Sequence, residues 1–199
     1  MEIKRVIFVG MPEEKRKYSY AEYMFLDEDF LCEVLDGEII SMSPSPTPKH
    51  QDVVDELTAE FKMFLRGKEC MAFSSPIDVC LFAEHEMKYE EIKDWVQPDL
   101  IVVCDRSKIG EKNIIGAPDL VIEVLSPSTT KNDRLIKYKN YEKAGVREYW
   151  IVDPYHMSVE VYELNKNSFD RTGIYLKEDN LNVGILEGFS INLGNIFKD

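Results

Sequence analysis

The chain has 199 residues, 44% of them apolar and 31% charged, with a formal net charge of −13 and four cysteines. That balance describes a single domain over residues 1–199, long enough to bury a core without staples, and no apolar run approaches a membrane span. The acidic charge counts against the basic face usual in proteins that grip nucleic acid, although local lysines and arginines can still line a cleft.

Cys32, Cys70, Cys80 and Cys104 are scattered and form no C-x-x-C pair. Zinc and a disulfide framework are therefore not expected, and reduced thiols in a cytoplasm are. The N-terminus carries a short apolar stretch without an A-x-A-like cleavage site, so export is not expected.

Residues 1–20 read as an arm or edge strand, with KRVIFV followed by a charged stretch. Tyr20 to Phe30 predicts a short helix. In CEVLDGEIISMSP, Asp36-Gly37 between apolar pairs predicts a tight hairpin, with Glu33 on its first strand. Pro44, Pro46 and Pro48 make an extended connector. From Thr47 the period becomes helical. Thr47 suits the N-cap and Pro48 the first turn, while Gly67 stops the run. His50, Val54, Leu57, Phe61 and Phe64 share its apolar stripe. The plain role for His50 is a half-buried histidine bonded to a neighbour; the alternative is a place in a site.

Ser75 to Phe82 predicts a strand, and WVQPDLIVVCD a second one entered through Pro98-Asp99. Arg106 to Gly116 reads as a loop. Asp119 to Leu125 is an apolar run between Pro118 and Pro127, the pattern of a strand buried on both faces, broken only by Glu123. A carboxylate there is costly unless it is paired or holds a metal. The next segment predicts a helix capped by Thr130 and stopped by Gly145, with Asp133, Lys137 and Tyr141 on one face. Arg147 to Asp153 is a further buried strand and Met157 to Leu164 a more exposed one. Residues 155–199 form a C-terminal strand extension.

If the strands of Asp99 and Glu123 pair, both carboxylates converge beside a backbone carbonyl such as that of Val124. Hard oxygen donors of this kind suit Mg²⁺ or Mn²⁺. A nearby lysine could orient water and offset charge on a phosphate. Paired acids are common in sheet-rich proteins, so spacing alone is a weak signal.

The chain resembles the Uma2 family of bacterial proteins, placed in the PD-(D/E)xK nuclease superfamily. The resemblance runs in fixed order through CEVLDGEIISMSP and His50, then QPDLIVV, GAPDLVIEVLSPST, Asp133-x-x-x-Lys137-x-x-x-Tyr141 and GVREYWIVDP, covering about residues 30–165. It implies an α/β (α+β) restriction endonuclease-like core, a mixed central sheet flanked by helices. Pro98-Asp99 matches the PD element and Glu123 the second acid. Leu125 stands where the superfamily lysine would be, and Lys137 matches the position to which that lysine has moved in this family. Glu33 and His50 match family positions bordering the site, and Tyr141 could bond Lys137 or a phosphate. Each has a plainer role: a surface pair for Glu33, core for Tyr141 and a solvated lysine for Lys137. Pro118-Asp119 is a second PD dipeptide, and Asp99 is preferred to it.

The implied activity is metal-dependent hydrolysis of DNA phosphodiester bonds by a metal-activated water attacking in line. Asp99, Glu123 and the Val124 carbonyl would hold Mg²⁺ or Mn²⁺, and Lys137 would assist. The alternatives are an altered nuclease fold serving as a binding or regulatory module, or a phosphodiesterase acting on RNA or nucleotides. A homodimer is expected, because two identical sites most simply cut both strands of a duplex.

Overall fold

The computed structural model describes residues 16–25, 32–40, 46–127, 130 and 132–198. The predicted edge strand KRVIFV, most of the proline connector and part of the SPST turn lie outside the described residues.

A six-stranded mixed sheet carries the fold. Its strands, in chain order, are β3 (Met71–Ser74), β5 (Leu100–Val103), β7 (Leu120–Val124), β8 (Glu148–Asp153), β9 (Ser158–Asn165) and β10 (Ser168–Leu176), and they lie side by side in the order β10-β9-β8-β7-β5-β3. Within this sheet, as far as the described residues go, only the neighbours β7 and β8 pair parallel. The central strands LIVV and LVIEV are buried at every position, as continuous apolar runs require. Smaller pairs flank this sheet: the hairpin β1 (Glu33–Leu35) with β2 (Glu38–Ile40), β4 (Asp78–Cys80) with β6 (Asn113–Ile115), and β11 (Asn180–Asn182) with β12 (Ser190–Asn192).

After the short α1 (Tyr20–Tyr23), α2 (Pro48–Leu65) covers one face of the sheet, and its Thr47 accepts a hydrogen bond from the His50 amide as the capping chemistry predicts. Its stripe of Val53, Val54, Leu57, Phe61 and Leu65 packs on Leu100, Val102, Leu120 and Ile122. The C-terminal segment closes the same side through Phe189, stacked on Phe64 and edge-on to Phe61, and through the short α4 (Leu193–Ile196). The other face is covered by α3 (Tyr138–Ala144), with Tyr141 among Ile101, Val121, Tyr149 and Ile151. Gly145 ends α3 at φ 88°, a left-handed conformation that disfavours a side chain.

The structure corrects four expectations. Of the strand predicted over Ser75 to Phe82 only Asp78–Cys80 is a strand, β4, which pairs parallel with β6; the edge strand β3 lies before that span and ends at Ser74, ahead of Pro76, which has no N–H for the ladder. The loop expected over Arg106 to Gly116 contains β6. The helix after Thr130 begins as a π-helix over Asn132–Lys137, and the Thr130 hydroxyl donates back to the Ser126 carbonyl.

The fourth correction concerns the thiols. Cys70 and Cys104 form a disulfide, while Cys32 and Cys80 are free and buried. The antiparallel register Met71↔Val103 puts the flanking cysteines opposite one another, a juxtaposition with no signature in the spacing. Thiol titration of the oxidised protein in denaturant without reductant should find two reactive groups; finding all four would contradict the pairing.

Candidate active site

Five chain segments meet where β5 begins and β7 ends. The hairpin delivers Glu33. Val34 exchanges both backbone hydrogen bonds with Trp95 at 2.8 Å, and the Gln97 amide donates to Glu33 Oε1 at 2.9 Å. Trp95 Nε1 also donates to the Cys32 carbonyl, so an aromatic anchor fixes the backbone beside Glu33. Glu123 comes from the middle of the sheet. Asp99 sits one position beyond the pair Leu100↔Ile122, which sets it across from Glu123. Its Oδ2 accepts from the Val124 amide at 2.7 Å.

Lys137 joins these groups. Its Nζ lies 2.8 Å from Glu33 Oε1, 3.0 Å from Glu123 Oε1 and 3.6 Å from Asp133 Oδ1. Tyr141 donates to the same Glu123 oxygen at 2.5 Å. Asp133, Lys137 and Tyr141 are all buried, as their shared helix face requires. Tyr149 donates to the Asp133 carbonyl at 3.1 Å, securing the π-helical turn from the sheet side. His50, in the first turn of α2, brings Nε2 to 3.4 Å from Asp99 Oδ2.

Glu33, Lys137 and Tyr141 thus meet at Glu123, while His50 pairs with Asp99 on the neighbouring strand. Lys137 is 5% exposed and Glu33 6%, so the solvated lysine and the surface hairpin pair are not what the fold makes of them. Asp119 lies apart. It accepts from the Cys104 amide and pairs with Arg147 at 3.1 Å, at the opposite end of β7. Asp133 is the member that sequence reasoning placed on the right face without giving it a role; its i, i+4 relation to Lys137 was the available signal.

The electrostatics follow from burial. Burial pushes the Glu123 carboxyl well above the usual carboxylate range; Lys137 opposes this, and Asp133, Asp99 and Glu33 reinforce it. Burial pulls the Lys137 ammonium down, but Glu123, Glu33 and Asp133 outweigh it and hold the pKa well above normal. Burial also lowers His50, yet its contacts with Asp99 leave the pKa raised. Burial and the Glu123 charge raise Tyr141, so the phenol stays a donor. Three carboxylates around one ammonium leave negative charge in excess.

That excess, and the unused oxygens, fit a hard divalent cation. Asp99 Oδ1 and Glu123 Oε2 have no protein donor among the described residues, and they lie on adjacent strands. Anionic oxygens are the donors that Mg²⁺ and Mn²⁺ prefer. Among the described residues, no three His, Cys, Asp or Glu side chains are grouped to hold a metal, so the fit rests on this pair.

Comparison with known proteins agrees with this architecture. The Uma2 family, described as "Putative restriction endonuclease", matches residues 19–194. The uncharacterized protein slr1290 of Synechocystis is 27% identical over 134 residues, 67% of this chain and 66% of that protein. A crystal structure described as a putative nuclease belonging to DUF820, from Anabaena variabilis, superposes with a TM-score of 0.69 at 20% identity. The superposition covers 90% of this chain and 97% of that one, and it supports the shared nuclease fold. With a match over so much of its length, the chain belongs to the Uma2 family.

Proposed function

We propose that the protein is a metal-dependent endonuclease that hydrolyses phosphodiester bonds in DNA, working as a cytoplasmic homodimer. One observation carries this reading: a buried lysine held against Glu123, beside Asp99, in a chain of the family described as "Putative restriction endonuclease". A lysine is costly to bury, and this arrangement is more than a core needs.

Asp99 and Glu123 would hold Mg²⁺ or Mn²⁺, with the Val124 carbonyl beside them. When bound, the ion supplies positive charge to the phosphate oxygens and acidifies coordinated water. The remaining chemistry belongs to the chain. Lys137 keeps its proton and offers N–H donors toward charge that develops on the phosphate. Glu33 and Asp133 fix the ammonium in place, and Tyr141 holds Glu123 Oε1, leaving Oε2 to face a ligand. His50 steadies Asp99, whose second oxygen remains available. The acid excess fits a site that gains a cation when it works.

The test is cleavage of supercoiled plasmid with Mg²⁺ or Mn²⁺, with EDTA as control and RNA in parallel. Nicking or linearisation that needs the metal and is lost in Asp99→Ala supports the reading. Cleavage that persists in EDTA would overturn it. DNA left intact under all metals would favour a binding or regulatory module.

A further inference from the structure

Cys70 and Cys104 are joined at the open edge of the main sheet. β3 is the outermost strand, four residues long, and among the described residues its ladder partner is β5 alone. The register runs from Met71↔Val103 to Ser74↔Leu100. The disulfide lies one residue beyond the first pair. One residue beyond the last, the Ser75 amide donates to the Asp99 carbonyl at 3.0 Å. A single short strand thus carries the cross-link at one end and holds the backbone of a proposed metal ligand at the other.

The four cysteines are not equivalent. Cys32 and Cys80 are buried, and burial pushes their thiols up to about 11 and about 12, which keeps them out of thiol exchange. Cys70 and Cys104 are only half-buried, within reach of a small reductant. The entry to β3 is also clasped by Arg106, whose Nε donates to the Glu69 carbonyl at 2.9 Å and Nη2 to the Lys68 carbonyl at 3.1 Å. These bonds keep the two cysteines facing each other when the link is open, so that it can reform. They are exposed to water, however, and do not replace a covalent closure between residues 34 apart in sequence.

We propose that Cys70 and Cys104 are a reversible redox site for dithiol reductants, and that its state sets how firmly β3 holds Asp99. A thiolate of the reductant attacks one sulfur of the pair, forming a mixed disulfide and releasing the other cysteine. The second thiolate of the reductant then displaces the remaining cysteine. Two electrons and two protons pass to the protein, leaving two thiols, and the reductant departs as a disulfide. With the link open, a four-residue edge strand opens more often, and each opening breaks the bond from Ser75 to Asp99. Disulfides of cytoplasmic proteins are in general transient and regulatory, so the oxidised form is the state with the firmer site. The cytoplasmic setting and the consequence for cleavage rest on the nuclease reading; the opening of β3 does not.

The test follows the Ser75 amide by hydrogen exchange and NMR, without metal or DNA. The oxidised protein is compared with the protein after dithiothreitol, after reoxidation with oxidised glutathione, and with the double variant Cys70→Ser/Cys104→Ser. The expected result is exchange about tenfold faster on reduction, restored on reoxidation, and fast in the double variant whether or not dithiothreitol is present. The faster exchange should be the same with and without about 1 M urea, the mark of a local opening. Exchange at Ser75 that ignores reduction, or that rises with urea as the β7 amides do, would overturn the assignment. So would a response to dithiothreitol in the double variant. Plasmid cleavage should slow several-fold on reduction, and an equal rate in both forms would overturn the effect on Asp99. Absence of cleavage in both forms would count against the nuclease reading alone, with the exchange result still deciding the redox site.

Discussion

Lys137→Met is expected to lower the unfolding free energy by about 3–5 kcal/mol at neutral pH, the usual effect of removing one partner from a buried ion pair. Methionine keeps most of the volume, so the loss isolates charge from packing. In the native protein a single ammonium faces Glu33, Glu123 and Asp133 at 2.8, 3.0 and 3.6 Å. Without it, three carboxylates share a pocket from which water is excluded. The deficit should depend on pH in a defined direction. The Glu123 carboxyl is raised in the folded state by burial and by its acidic neighbours, so the folded protein binds this proton more readily than the unfolded chain. Its contribution is present below the ordinary carboxylate range and is lost as pH rises through the raised folded value. Loss of the lysine removes what opposes that rise and enlarges the effect. Urea denaturation at about pH 5 and about pH 8 should therefore show a smaller deficit at the lower pH. A deficit under about 1 kcal/mol, independent of pH, would mean that the lysine is not the charge that balances this cluster.

Glu123→Gln should move function and stability in opposite directions. The carboxamide is nearly isosteric, and its oxygen can still accept from Tyr141 and Lys137. It brings no negative charge into a pocket that already has an excess, so the melting temperature should be unchanged or higher. The same neutrality removes an anionic ligand and a fixed charge beside the reacting phosphate. Metal-dependent cleavage should fall by about 10²–10³-fold. That combination marks a residue kept for chemistry at some expense to the fold. A variant that is both less stable and equally active would place Glu123 in the structural framework instead.

The order of helices and strands was legible because β5 and β7 are unbroken apolar runs and α2 carries both a start and a stop signal. Thr47, Pro48 and Gly67 are local chemistry, which a sequence displays directly. Asp36-Gly37 is another such case, with both residues at positive φ in the hairpin turn. What was hidden depends on distant partners. Glu33 is buried only because Trp95 and Gln97, more than 60 residues away, draw its strand against the site. The disulfide depends on the pairing of β3 with β5, which no spacing encodes. The π-helical turn escaped notice because the i, i+4 relation of Asp133 and Lys137 suits either helix. Glu123, by contrast, stood out as one carboxylate in a strand with no exposed position. The cost of burying it was the clearest pointer to the site.

The central claim is that Asp99 belongs to a divalent-cation site, and calorimetric titration of Mn²⁺ tests it most directly. Wild type, Asp99→Ala and Asp119→Ala would be compared at near-neutral pH and low salt. Asp119 serves as the control because Arg147 and the Cys104 amide hold it at the far end of β7. Binding in the wild type and in Asp119→Ala, absent in Asp99→Ala, is the predicted result. Equal binding in wild type and Asp99→Ala would contradict the account.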